Sequence, residues 1–312
     1  MKDQILKKQL QQGRLNDSGG FPRVVLVDTV SFCNLRCSMC FHKHMKRKKG
    51  IMPWDLFTKI IDEISREDKD IRVWLVFFGD PFVIKRREPT IFKLIKYAKD
   101  KGLTDVVLNT NGNLMDEDAS RGIIEAGLDN IYFGLDAYTS ETYAKLRVGG
   151  DYELVRKNIL KLLELKKKLG TNKPGVYVQY VEMDENREEI EPFKKFWAEN
   201  GAIVKIRPKI SWAGMIDAHN QVLDNKDRWP CHWAMQTLSI SDTGKVVLCP
   251  CDLDGRVVVG DVTKNTITEV WNGTLKKFRE YHLAKQFTLL PDMCRECRDW
   301  QSARSDYHSL NG

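Results

Sequence analysis

The chain has 312 residues and a formal net charge of +7, with 42% hydrophobic and 30% charged residues. That length suits one large α/β domain plus a smaller one, and the balance excludes a disordered or fibrous chain. Residues 1–12 are polar and amphipathic rather than a secretory leader, and the longest apolar stretch, 73–78, is too short to cross a bilayer, so a cytoplasmic location is expected.

In chain order, residues 1–22 read as an N-terminal extension, and 24–31 as a buried strand. The loop after it carries Cys33-x3-Cys37-x2-Cys40, and Pro53 sits at the first turn of a helix running to about 64. Strands follow at 71–78, 105–109, 130–135, 175–182 and 202–207. Between them come helical patterns at 90–101, 116–126, from 140, from 152 and at 188–200. Six β/α units predict a parallel sheet with right-handed crossovers, here a partial (β/α)6 TIM-like barrel over 23–208. Residues 209–230 read as a linker. The module 231–312 shows a hairpin, 237–241 and 245–248 around Asp242-Thr243-Gly244, then a helix at 267–281 and Cys294-x2-Cys297.

Eight cysteines in a cytoplasmic chain point to metal or redox chemistry rather than disulfides. Three closely spaced thiolates can ligate three irons of a [4Fe–4S] cube and leave the fourth iron open; zinc is the competing occupant. In β/α barrels the working residues sit at the C-terminal strand ends. There lie Phe78-Gly79-Asp80-Pro81, Asn109-Thr110-Asn111-Gly112, Gly134-Leu135-Asp136, then Gln179, Glu182 and Arg207. The basic run 43–49 follows the third cysteine. It is either a solvated face or a device that steers an anionic small-molecule substrate or docks an acidic reductant such as flavodoxin or a ferredoxin. No aromatic interleaving of the single-strand nucleic-acid binders accompanies it.

The cysteine spacing resembles that of the radical S-adenosylmethionine (SAM) superfamily. The resemblance implies that SAM chelates the open iron and that one electron cleaves it to a 5′-deoxyadenosyl radical. It also implies cofactor contacts. Gly79, Asp80 and Pro81 resemble the Gly-Gly-Glu-Pro stretch that binds the methionyl amino group, with Asp80 as acceptor. Asn109, Asn111 and Asp136 fall at the SAM-binding face. Gly134 stands where a serine often helps hold SAM. Arg147 matches an arginine that pairs with the methionine carboxylate, or is simply a helix-surface arginine. Met39 replaces an aromatic contacting adenine.

Cys231-x17-Cys249 with Cys294-x2-Cys297 makes a second four-cysteine set, for which a zinc ribbon is again an alternative. Residues 238–250 and 267–273 resemble the SPASM/twitch extension of radical SAM enzymes, in its single-cluster form, as in an aminocyclitol dehydrogenase. This implies an auxiliary [4Fe–4S] cluster that takes an electron from a substrate radical. The implied reaction is hydrogen abstraction from a hydroxyl-bearing carbon of a sugar, aminocyclitol or nucleotide sugar, ending in dehydrogenation or epimerisation. Arg207 or Glu182 would receive the proton, or would only bind polar substrate groups. Cys251 is a spare thiol, an alternative ligand, or the hydrogen-atom donor of an epimerase. Radical modification of a ribosomal peptide or protein is the alternative enzymatic reading, and a two-zinc binding module the non-enzymatic one.

Overall fold

A computed structural model describes residues 4, 7, 17, 19–218, 221–302 and 306–309. Most of the expected N-terminal extension lies outside the described residues. Six strands, β1 (Val24–Val27), β2 (Arg72–Trp74), β3 (Asp105–Thr110), β4 (Asn130–Gly134), β5 (Gly175–Glu182) and β6 (Ile203–Pro208), pair in parallel in chain order. Helices cover their outer side, as crossover geometry requires. The first, α1 (Trp54–Glu67), buries Phe57, Ile60, Ile61 and Ile64, an i, i+3, i+4, i+7 stripe. Each such side chain contributes about 1.5–3 kcal/mol on leaving water.

The sheet continues past both ends of this series. Strand β7 (Thr237–Ile240) pairs parallel to β1 and leads into the antiparallel strands β8 (Lys245–Val247) and β9 (Val258–Asp261). At the other edge, β10 (Asp306–His308) lies antiparallel on β6. Later chain therefore covers both edges of the six-stranded unit, which would otherwise offer unpaired backbone. The hairpin expected as a separate module is part of one ten-stranded sheet.

Two elements are shorter than expected. Strand β2 ends at Trp74 because the chain peels away to be captured elsewhere: the Phe78 amide donates to Asp28 Oδ1 at 3.2 Å, and the Asp80 amide to the Phe32 carbonyl at 2.9 Å. The helical stretch 267–281 is two helices, Ile267–Asn272 and Thr274–Leu283, broken at Gly273. A Thr266–Glu269 capping box starts the first. Among the described residues no helix is long and apolar enough to cross a membrane.

Candidate active site

The C-terminal strand ends enclose a cavity of about 160 Å³, and Cys33, Cys37 and Cys40 form one wall of it. Of the other residues expected there, Met39, Gly79, Asp80, Asn109, Asn111, Asp136, Arg147 and Arg207 line it as well. Each thiol sulfur meets an N–H: Asn111 Nδ2 at 3.8 Å from Cys33, Arg147 Nη1 at 3.6 Å from Cys37, and the His42 amide at 3.4 Å from Cys40. Burial pushes the Cys33 thiol up to about 12 and the Cys40 thiol up to about 11. A metal centre there must therefore displace protons.

The loops around the thiols are stitched together. Gly79 packs so closely on the carbonyls of Val30 and Phe32 that no side chain fits there. Asp80, fully buried, accepts from the Phe82 amide (3.0 Å), from Thr110 Oγ1 (2.8 Å) and from the Asn111 amide (2.8 Å). Three of a carboxylate's four acceptor sites are thus spent bracing the β3 loop, and one on Oδ1 is left. Pro81 does not line the cavity; it opens the short turn that Asp80 caps. Asn111 Nδ2 also donates to Asn34 Oδ1, and Gln179 Nε2 to Asn109 Oδ1.

Arg147 is committed rather than held free for a carboxylate ligand. Its Nη2 stands 2.5 Å from Asp136 Oδ2, a close ion pair rather than an aligned hydrogen bond, and its Nε has no partner. Burial works against the charge, but the adjacent carboxylate of Asp136 more than offsets it, so the guanidinium is held above its ordinary value. The space the guanidinium fills is the one a side chain on residue 134 would occupy. Asp136, at φ 58°, sits in the left-handed region that non-glycine residues rarely adopt, and its Oδ1 accepts from the Val181 amide.

Two expectations need correction. Glu182 does not line the cavity: strand side chains alternate, Gln179 and Val181 point inward, and Glu182 pairs instead with Arg187 at 3.3 Å. Within the basic run, Arg47 is no free surface charge. It donates to Asp28 Oδ2 (2.7 Å), to the Leu253 carbonyl (2.6 Å) and to Asp242, tying the barrel rim to the β7–β8 hairpin. Lys43 alone of the run's lysines and arginines lines the cavity.

A second, small cavity holds the other five thiols, Cys231, Cys249, Cys251, Cys294 and Cys297. Cys251 opens here, not into the main cavity. A guanidinium and an imidazole face Cys294: Arg228 Nη2 lies 3.6 Å from its sulfur and His282 Nε2 3.7 Å. Burial pushes the His282 imidazole down to about 3, so it is neutral; Arg228 is buried with its Nε unpartnered. A buried guanidinium against thiols fits a site whose sulfurs become anionic, as cluster ligands do. In neither cavity do the side chains close around the space of one ion: among the described residues no three His, Cys, Asp or Glu side chains do so.

The residue that sequence reasoning missed is Asp299, two positions after Cys297. Its buried carboxylate accepts from the Ser211 amide (2.6 Å), Ser211 Oγ (2.9 Å), the Ala213 amide (2.8 Å) and Gln221 Nε2. It holds Trp212 and Ala213 in left-handed conformations, φ 52° and 57°. Trp212 then lines the main cavity, donates from Nε1 to the Met39 carbonyl (2.9 Å) and packs in the group containing Cys249, Cys251 and Cys297. Only its proximity to a cysteine pair could have drawn attention to Asp299.

A partial β/α barrel with three thiols in its first rim loop, and a second thiol cavity behind it, has the layout of an iron–sulfur protein of the barrel type. The family comparison agrees. The model of the radical SAM superfamily matches residues 27–196, more than half of the chain, and the chain belongs to that superfamily. The model of the SPASM iron–sulfur cluster-binding domain matches residues 231–298.

Among curated proteins, the tungsten-containing aldehyde ferredoxin oxidoreductase cofactor-modifying protein of Pyrococcus furiosus is 27% identical over 178 residues, 56% of this chain and 48% of that one. A probable GTP 3′,8-cyclase of Methanococcus maripaludis is 31% identical over 134 residues, 43% of each. The matches span about half the length of these relatives or less. Among solved structures, BtrN in complex with AdoMet and 2-DOIA superposes with a TM-score of 0.63 at 17% identity, covering 89% of this chain and 93% of that one. Streptococcus suis SuiB bound to its precursor peptide SuiA gives 0.67 at 13%, covering 96% and 74%. At such identities the likeness is one of fold.

Proposed function

We propose that the protein is a radical SAM dehydrogenase acting on a hydroxyl-bearing carbon of a small polar molecule, such as a sugar, aminocyclitol or nucleotide sugar. The observation that carries this reading is the shared wall between the two thiol groups: Ile210 and Trp212 line the main cavity and pack in one group with Cys249, Cys251 and Cys297. Clusters bound there would supply the electron that cleaves SAM at Cys33, Cys37 and Cys40, and an acceptor at the second group for the electron left on the substrate. With SAM and both clusters bound, the substrate carbon would give up a hydrogen atom to the 5′-deoxyadenosyl radical, its hydroxyl a proton to solvent and the remaining electron to the second cluster, so that a carbonyl results.

Within the site, Asn111 and Arg147 direct N–H groups at the sulfurs of Cys33 and Cys37, a contact that tunes such clusters. Phe77, Phe78, Met39 and Trp212 present apolar surface that excludes water from the radical. Cys251 opens into the second cavity, which favours oxidation over epimerisation, since a hydrogen-atom donor must reach the substrate. Domain limits at 23–208 and 231–312, with a connecting segment between, are part of this reading. Modification of a ribosomal peptide is the second reading, prompted by the fold shared with peptide-bound SuiB.

The test is a pair of substitutions assayed anaerobically with dithionite. Cys33→Ala is expected to abolish 5′-deoxyadenosine formation, while Cys294→Ala retains it and loses oxidised product. Full product formation by Cys294→Ala with its auxiliary cluster absent would overturn the reading.

A further inference from the structure

We propose that Arg207 anchors an anionic group of the substrate, a carboxylate or phosphate, in the space between the two thiol groups. The inference rests on the reading of the main cavity as a substrate site and deepens it to a substrate class.

With the three thiols still protonated, cationic side chains outnumber carboxylates along the cavity. Arg36, Lys43, Arg147, Arg207 and Lys209 face Asp80 and Asp136. Both carboxylates are largely engaged, Asp80 by two amides and a hydroxyl with one acceptor site left, Asp136 by Arg147 and the Val181 amide. Arg147 is thereby accounted for. Arg207 is not: among the described residues its guanidinium has neither a hydrogen-bond nor an ion-pair partner.

Alternation along β6 sets where it points. Ile203, Lys205 and Arg207 share the inner face, while Val204 and Ile206 are buried on the other. Lys205 lies over the Tyr132 ring farther down the barrel, and Arg207 emerges at the top. The charges around it are Asp136 and Arg147 with the thiols Cys40 and Cys251, one from each group. Burial and the neighbouring Arg147 draw its pKa below the ordinary value.

A desolvated cation without a partner is costly to keep, and the planar five-donor fork of arginine matches a carboxylate or phosphate two bonds at a time. An arginine also keeps its proton, so Arg207 is suited to hold an anion and not to take the substrate's proton. Asp136 opposes an incoming anion but is neutralised by Arg147 at 2.5 Å, and Cys40 adds negative charge once its sulfur ligates a cluster. A substrate tethered by its anionic end at Arg207 lies beside Cys40 and Cys251 together.

The test uses the reconstituted holoenzyme with SAM, and inorganic phosphate and acetate as probes, titrated calorimetrically. The wild type is expected to show one saturable anion site. Arg207→Gln should weaken it at least tenfold, and Arg207→Lys should retain part of it, which also controls for folding. SAM affinity measured on the same variants separates the two sources of carboxylate: a fall in SAM affinity in Arg207→Gln assigns the residue to the methionyl carboxylate and overturns the proposal. It is equally overturned if the wild type shows no saturable site, or if Arg207→Gln binds both probes as the wild type does. Failure to form 5′-deoxyadenosine would instead defeat the radical SAM reading, whatever the anion titration shows.

Discussion

Gly134 and Arg147 share one space: any Cβ on Gly134 would collide with Nη2 of Arg147, whose guanidinium closes over the end of β4 to reach Asp136 and Cys37. The missing side chain at 134 is what admits the arginine to the cluster loop. Gly134→Ser should force Arg147 out of its pair with Asp136 and lower stability by about 1–3 kcal/mol, as overpacking of a filled site does. Chemical denaturation of the apo protein checks this; an unchanged midpoint would show that the guanidinium simply moves aside.

Asp299 and Ser211 define a second relationship, across 88 positions of sequence. Asp299→Asn puts an amide donor where Asp299 now accepts from two backbone amides and the Gln221 side chain. The expected loss is about 2–3 kcal/mol, with faster hydrogen exchange at the Ser211 and Ala213 amides. Unaltered exchange there would mean that the turn at 212–213 stands without its carboxylate.

Asp28 gives a pH signature. Burial, against the pull of Arg47, raises its carboxyl to about 7 in the folded chain. The unfolded value is near 3.8, so the native state binds the extra proton between those two pH values. That contribution is fully present below 3.8 and is lost as pH rises through about 7. Asp28→Asn should remove a stability slope of up to about 1.4 kcal/mol per pH unit in that window. Wild type and variant with parallel stability–pH curves from pH 4 to 7 would contradict it.

Five thiols share the second cavity, and a cube takes four. Cys251 is the deepest of the five, held between Cys249 and the Asp299 carboxylate 3.8 Å away. Cys251→Ser should keep the full iron complement, whereas Cys249→Ser should lose about four irons per chain. Iron analysis after reconstitution decides it, and the reverse pattern would exchange the two roles.

Much of this was legible in the sequence, for reasons that can be named. Parallel strands joined by amphipathic helices leave period and punctuation in the chain, so the order β1 to β6 and the rim positions of Asp80, Asn111 and Arg207 followed from pattern alone. The pairing of β7 with β1 left none, because it joins segments about 200 residues apart whose hairpin pattern would fit any edge. Glu182 was a parity error: Gln179 and Glu182 differ by an odd number of strand positions and cannot face the same side. The pairing of Arg147 with Asp136, and Asp299 altogether, escaped because a buried ion pair and a buried hydrogen-bond hub are properties of packing, which no local sequence pattern records.

The central claim, two iron–sulfur sites in one radical SAM enzyme, is tested most directly by iron and sulfide analysis after anaerobic reconstitution, followed by assay for 5′-deoxyadenosine from SAM under dithionite. The account predicts about eight irons with matching sulfide per chain, and release of the nucleoside. A colourless protein that binds zinc, holds no iron and leaves SAM intact would contradict it.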